Sequence, residues 1–99
     1  MSHRGKTALI IGAGDYIGSA IARRFAREGY IVHAGRRNGE KLQPLVEEIA
    51  LEGGICRAKT LDARQEQGIA DFFAEAEAEA PIEVVVFNVG GNVYYPILE

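Results

Sequence analysis

The residues best suited to chemistry sit near the start of the chain, in Gly12-Ala13-Gly14-Asp15-Tyr16-Ile17-Gly18. Glycines at such spacing serve three ends: a tight turn, close approach of backbone to an anion, and close packing of a helix on a strand. The unpaired N–H groups at a helix start, with the positive end of its dipole, then suit a phosphate. Turns use glycine anyway, so the pattern needs context. Here it follows the apolar run Thr7-Ala8-Leu9-Ile10-Ile11 and opens a stretch with Ile17, Ala20, Ile21 and Phe25 at helical spacing. Strand, glycine turn and helix in that order point to a dinucleotide pyrophosphate held by backbone N–H groups.

A second set of candidates closes the next apolar run. Tyr30-Ile31-Val32-His33-Ala34 ends in Gly35-Arg36-Arg37, and no carboxylate follows until Glu40. A ribose 2′-hydroxyl is ordinarily met by an acidic residue at this point. Two guanidiniums in its place suit a 2′-phosphate by charge and by bidentate geometry. The expected cofactor is therefore NADP(H), with NAD(H) less favoured. Solvated loop arginines are the competing reading of Arg36 and Arg37, and an adenine nucleotide or FAD is the competing ligand.

The elements that must position these residues follow from periodicity. Leu42, Leu45, Val46 and Ile49 form a helical stripe after Asn38, a candidate N-cap, with Pro44 tolerable only in the first turn. Gly29 and Gly53-Gly54 end the first two helices. A polar strand spans about Ile55 to Leu61, where Arg57 and Lys59 mark a sheet edge. Asp62 is expected to cap a third helix, with Gln65 in capping-box position and Ile69, Phe72, Phe73 and Ala76 as its buried stripe. The alternating Ala and Glu from Ala74 to Ala80 reads as a solvated helical face ended by Pro81. Val84 to Phe87 is the last strand and runs into Asn88-Val89-Gly90-Gly91. The order β-α-β-α-β-α-β argues for an α/β fold with a parallel sheet.

Composition narrows the function classes. The chain has 99 residues, 47% of them apolar and 25% charged, with a net charge of −3. One modest core fits that length, burying roughly 65% of the unfolded surface. The charge offers no footprint for nucleic acid or an anionic membrane. Cys56 is the lone cysteine, which excludes an internal disulfide and favours a reducing, cytoplasmic setting. His3, His33 and Cys56 show no metal-ligand spacing. No apolar run approaches the roughly 20 residues of a membrane span.

From Lys6 to about Leu98 the chain resembles the short-chain dehydrogenase/reductase family. The glycine turn is similar to that family's G-x-x-x-G-x-G, with Tyr16 standing where the middle glycine would be. Leu61-Asp62-Ala63 resembles its Asp-Val pair, which implies the Asp62 carboxylate at the adenine amino group with the Ala63 N–H beside it. Phe87-Asn88-Val89-Gly90 is similar to its Asn-Asn-Ala-Gly turn, which implies that Asn88 steadies the central strands and lies beside the adenosine ribose. Gly90 would give the backbone room near the cofactor, and a plain strand-end turn explains it equally.

The resemblance implies a Rossmann-type three-layer fold, a parallel sheet of four strands in the order 3-2-1-4, truncated after the fourth strand. It also implies hydride transfer to a carbonyl or from an alcohol, using a serine, a tyrosine and a lysine that lie beyond that strand. Tyr94 and Tyr95 do not supply the family's Tyr-x-x-x-Lys pair, because positions 98 and 99 are Leu and Glu. Residues 1–99 are thus expected to be an NADP(H)-binding half-domain without catalytic residues, inactive alone. The alternative is a truncated, self-associating structural module with little nucleotide affinity. In either case the bare fourth-strand edge is expected to make a homo-oligomer.

Overall fold

The computed structural model describes residues 5–12, 16–62, 64–88 and 97–98. Strand β1, Thr7–Ile11, is buried at every position. Helix α1 (Tyr16–Arg27) and strand β2 (Ile31–Arg36) follow, then a single 3₁₀ turn (Gly39–Leu42) and helix α2 (Gln43–Leu51). Strand β3 (Ile55–Thr60), helix α3 (Glu66–Glu79) and strand β4 (Ile82–Phe87) complete the alternation. These four strands are parallel, in the order β3-β2-β1-β4.

Period two explains why β1 reads as one apolar run rather than an alternation. Ala8 and Ile10 point into a cluster with Ala22 of α1 and Leu45 and Ile49 of α2. Leu9 and Ile11 point the other way, into a cluster with Phe72 and Ala76 of α3. A central strand covered by helices on both faces has no polar side to show. The helices thus form two outer layers around the sheet.

The helix ends are fixed by backbone geometry. Gly29 has φ +100°, its N–H donates to the Ala26 carbonyl at 3.1 Å, and the Tyr30 N–H donates to Phe25 at 3.2 Å. Gly53, at φ +87°, repeats the pattern with Ala50 at 3.0 Å, while Gly54 donates to Ile49 at 2.9 Å. Paired bonds of this kind satisfy carbonyls that a helix end otherwise leaves open. Ala80 is extended, as expected for a residue preceding proline, and α3 stops there.

Several local expectations are corrected. Asn38 precedes the 3₁₀ turn and its side chain makes no cap bond, so α2 proper starts at Gln43 with Pro44 in the first turn. Asp62 is not the cap of α3: Gln65 holds that position, also without a side-chain bond. Gly35 lies within β2 instead of closing it, since the pairing with β3 runs on through Arg36, and a Cβ at Gly35 would stand 2.9 Å from Leu61 and 3.0 Å from Phe72. Buried in α1 are Gly18 and Ala22, one turn apart, so small residues bring this helix close to the sheet. Ile21 and Phe25 of the expected stripe are partly buried against the same core cluster, and with Ile17 and Ala20 they also line an open apolar groove of about 420 Å³ with Tyr16, Arg24 and Val86.

The two edges of the sheet also depart from expectation. Arg57 and Lys59 do lie on an edge strand, yet they are not simply solvated. Arg57 bonds Glu79 at 2.7 Å and Lys59 bonds Glu75 at 2.6 Å, so two glutamates of the Ala/Glu tract fasten α3 to β3. At the other edge the sheet does not stop at the fourth strand. A two-residue strand β5, Ile97–Leu98, pairs antiparallel with Val85 and Val84. That part of the β4 edge is therefore not bare.

Candidate functional site

Three backbone hydrogen bonds continue the sheet past its carboxyl end. The Leu61 N–H donates to Arg36 at 2.7 Å, the Gly12 N–H to Gly35 at 2.8 Å, and the Asn88 N–H to Ile11 at 2.8 Å. They align the residues that follow β3, β2, β1 and β4 along one edge. The chain leaves β1 toward β2 on one side, while β4 returns to the other side of β1. Ligands of open parallel sheets bind in the crevice at such a reversal, outside the carboxyl ends of the strands.

Gly12 and Asn88 flank that crevice. Gly12 has φ +91°, a conformation that favours glycine and starts the turn immediately after β1. The Asn88 side-chain amide donates to the Gly12 carbonyl at 3.2 Å, so the residue after β4 pins the start of the glycine turn. Asn88 is 5% exposed, which makes this bond a fixed part of the scaffold. The structure thereby brings together two of the sequence candidates across 76 positions. Tyr16 opens α1 and is 84% exposed, standing over the groove along that helix instead of filling the core. Ile17 is half-buried and Gly18 buried against the sheet.

Arg36 is the last residue of β2 and is half-buried, while Arg37 beyond it is exposed. Asp62 follows β3 on the neighbouring edge position. Its carboxylate is engaged by Arg64, whose N–H and Nε donate to Oδ1 at 3.0 and 3.1 Å and whose Nη2 donates to Oδ2 at 3.0 Å. The side-chain bonds of Arg64, its backbone N–H and the charges of Arg64 and Arg37 together hold the Asp62 carboxyl down at about 2. Asp62 is ionised throughout the neutral range. Arg64 is the residue the sequence reading missed, although Asp-x-Arg is a spacing at which a carboxylate readily caps its own chain two residues on. Gly14, Asp15, Ala63 and Gly90 lie outside the described residues.

The donor set suits an anionic dinucleotide. A glycine at positive φ opens the turn after β1, guanidiniums follow β2 with no carboxylate between Gly35 and Glu40, and one ionised carboxylate follows β3. Two other titratable groups, His33 and Cys56, are buried in the scaffold. His33 is buried and its ring bonds Glu79 at 2.8 Å; burial pushes its pKa down against the pull of that glutamate. Burial pushes the Cys56 thiol up to about 11, so it is not a thiolate at neutral pH. Among the described residues no group of three or more His, Cys, Asp or Glu converges as for a metal.

A family model described as short chain dehydrogenase matches residues 6–99. The chain belongs to that family. A short-chain dehydrogenase from Rhodopseudomonas palustris of known structure is 58% identical, with a TM-score of 0.88, over 91% of this chain and 42% of that one. A metagenomic short-chain oxidoreductase solved in complex with NADP is 31% identical, with a TM-score of 0.77, over 83% of this chain and 38% of its own. The 2,3-dihydro-2,3-dihydroxybenzoate dehydrogenase of Bacillus subtilis (strain 168) is 39% identical over 88 residues, 88% of this chain and 33% of that protein. The chain spans about a third of the length of the curated short-chain dehydrogenases it matches. Among the described residues no helix is long and apolar enough to cross a membrane.

Proposed function

We propose that this chain is the NADP(H)-binding, N-terminal portion of a short-chain dehydrogenase/reductase acting on a carbonyl or alcohol. One observation supports the reading: Gly12 and Asn88, joined by a hydrogen bond, follow β1 and β4 at the sheet's topological reversal, with Arg36 and Asp62 along the same carboxyl edge at the ends of β2 and β3. The pyrophosphate would lie on the backbone N–H groups of the turn through Gly12, Gly14, Asp15, Tyr16, Ile17 and Gly18. Arg36 and Arg37 would hold the 2′-phosphate, Asp62 and the Ala63 N–H the adenine, and Asn88 and Gly90 the adenosine ribose. When bound, the nicotinamide supplies or accepts a hydride. The sequence contains no Tyr-x-x-x-Lys segment, so the role proposed for these 99 residues is to bind and orient the cofactor, with no turnover on their own. A cytoplasmic location belongs to the same reading.

Calorimetric titration with NADPH and NADH tests the assignment. NADPH should bind about tenfold or more tightly than NADH, and Arg36→Ala should remove most of that preference. Failure of both nucleotides to bind at millimolar concentration would refute it. A second reading, self-association with little nucleotide affinity, is supported by the apolar groove between α1 and Val86 beside the β4 edge. Pairing through β4 itself would have to displace β5 from Val84 and Val85. Sedimentation that gives a clean monomer at micromolar concentration removes this second reading.

A further inference from the structure

Asp62 is a short, half-buried side chain at the end of β3, and what it offers a ligand depends on what already holds it. A carboxylate has about four acceptor positions. The Arg64 N–H and Nε take both on Oδ1, and Nη2 takes one on Oδ2. Among the described residues these are the donors that reach the carboxylate, and they leave one acceptor position on Oδ2 untaken. The turn is local: Asp62 accepts from the backbone two residues on, and the guanidinium of that same residue closes over it. Two parallel bonds to a planar fork fix the plane of the carboxylate as well as its position. Arg64 itself is 72% exposed against 26% for Asp62, so little but this contact explains its conformation.

We propose that Arg64 is a positioning residue for cofactor selection: it locks the Asp62 carboxylate so that Oδ2 presents a single acceptor to an exocyclic amino group, such as that of adenine. The inference rests on the cofactor reading above and adds to it a residue and an atom. A base with a carbonyl in place of the amino group would turn an acceptor toward the Oδ2 acceptor and be rejected. Without the Arg64 guanidinium only the backbone N–H of residue 64 still holds Oδ1, so the carboxylate regains rotational freedom and two more acceptor positions, and selection weakens. The guanidinium also offsets the Asp62 charge, and Arg37 adds to that field, which matters for a ligand carrying phosphates.

The test compares NADPH with its hypoxanthine analogue, which has a carbonyl where adenine has the amino group, by calorimetric titration of the intact chain. The unmodified chain should prefer NADPH by about tenfold, as for one hydrogen bond to a charged acceptor. Arg64→Ala should cut that preference to about twofold, and Arg64→Lys, which cannot bridge both oxygens, should fall between. In parallel, carbon-13 NMR of the Asp62 carboxyl should show its titration move up from about 2 toward the ordinary aspartate range in Arg64→Ala. That readout does not depend on any ligand, and a merely structural role for Arg64 elsewhere would not move it. If Asp62→Ala abolishes the preference while Arg64→Ala leaves it intact, the positioning role is overturned and the cofactor reading stands. If the unmodified chain binds neither nucleotide, or does not distinguish them, the assignment of adenine to Asp62 falls and this inference with it.

Discussion

The two ends of the sheet are built in opposite ways. At the amino end, polar groups are consumed internally. The Thr7 hydroxyl donates to the Ala80 carbonyl at 2.9 Å and the Thr7 N–H to Pro81 at 2.8 Å. The Tyr30 hydroxyl donates to Glu83, and Arg27 bonds Glu52 at 3.0 Å. Both glycine-terminated helices also finish there. At the carboxyl end, backbone bonds align the strands, while Tyr16 and Arg37 stand exposed and Arg36 half-buried. The amino end ties distant elements together through side chains, whereas at the carboxyl end the side-chain bonds lie within the loops that follow the strands, Arg64 to Asp62 and Asn88 to Gly12. In the reading proposed above, stability and recognition are separated by the length of a strand.

The largest test of that separation strikes what the ends share. Phe72 is 1% exposed and packs with Leu9, Leu61 and Val85. Phe72→Ala should cost about 3–5 kcal/mol in urea unfolding, a large part of a small domain's stability. Hydrogen exchange should then accelerate at both ends together. If only one end were affected, the ends would not be parts of one cooperative unit.

Next in size, Arg36→Ala should weaken NADPH binding by about tenfold or more in calorimetric titration. Thr7→Val is its mirror image. It keeps the shape but leaves the buried Ala80 carbonyl without the hydroxyl, and it should cost about 1–3 kcal/mol with NADPH affinity unchanged. A Thr7→Val chain that lost cofactor affinity without unfolding would erase the distinction between the ends.

The smallest effects are in pH. Burial first, then the Glu83 carboxylate, push Tyr30 at the amino end up to about 12 from the ordinary tyrosine value of 10.0. The folded state favours the protonated phenol, so this contribution is complete below pH 10 and is lost as pH rises toward 12. Tyr30→Phe should flatten that alkaline limb in thermal melts. Asp62 at the carboxyl end works in the opposite sense. Its pKa is depressed from 3.8 to about 2, so its contribution is present above the higher value and is lost as pH falls toward the lower. Arg64→Ala should narrow that acid limb and leave the alkaline one alone.

Much of this was legible in the residues. The alternation of strands and helices follows from periodicity, and the glycines that end α1 and α2 do what isolated glycines after helical stripes generally do. Gly12, Arg36, Asp62 and Asn88 were each identifiable as the residue just after, or closing, an apolar run. What was not legible is which partners the charged groups choose. Glu75 and Glu79 read as solvated because nothing in an Ala/Glu repeat shows that an edge strand with Lys59 and Arg57 lies beside it. Asp62 looked like a helix cap because caps and turns at loop starts use the same residue types.

What the sequence by itself determined is the order of elements, the place of the glycine turn and the family. These depend on local backbone preference and on the spacing of apolar side chains, both written along the chain. Only the tertiary structure decided that Gly35 must lack a side chain to admit Phe72, and that Asn88 holds the carbonyl of Gly12. It also decided that Ile97–Leu98 takes up part of the β4 edge. Each of those facts joins residues far apart in the chain, and their contact exists only once the strands are in register and the helices are packed on both faces.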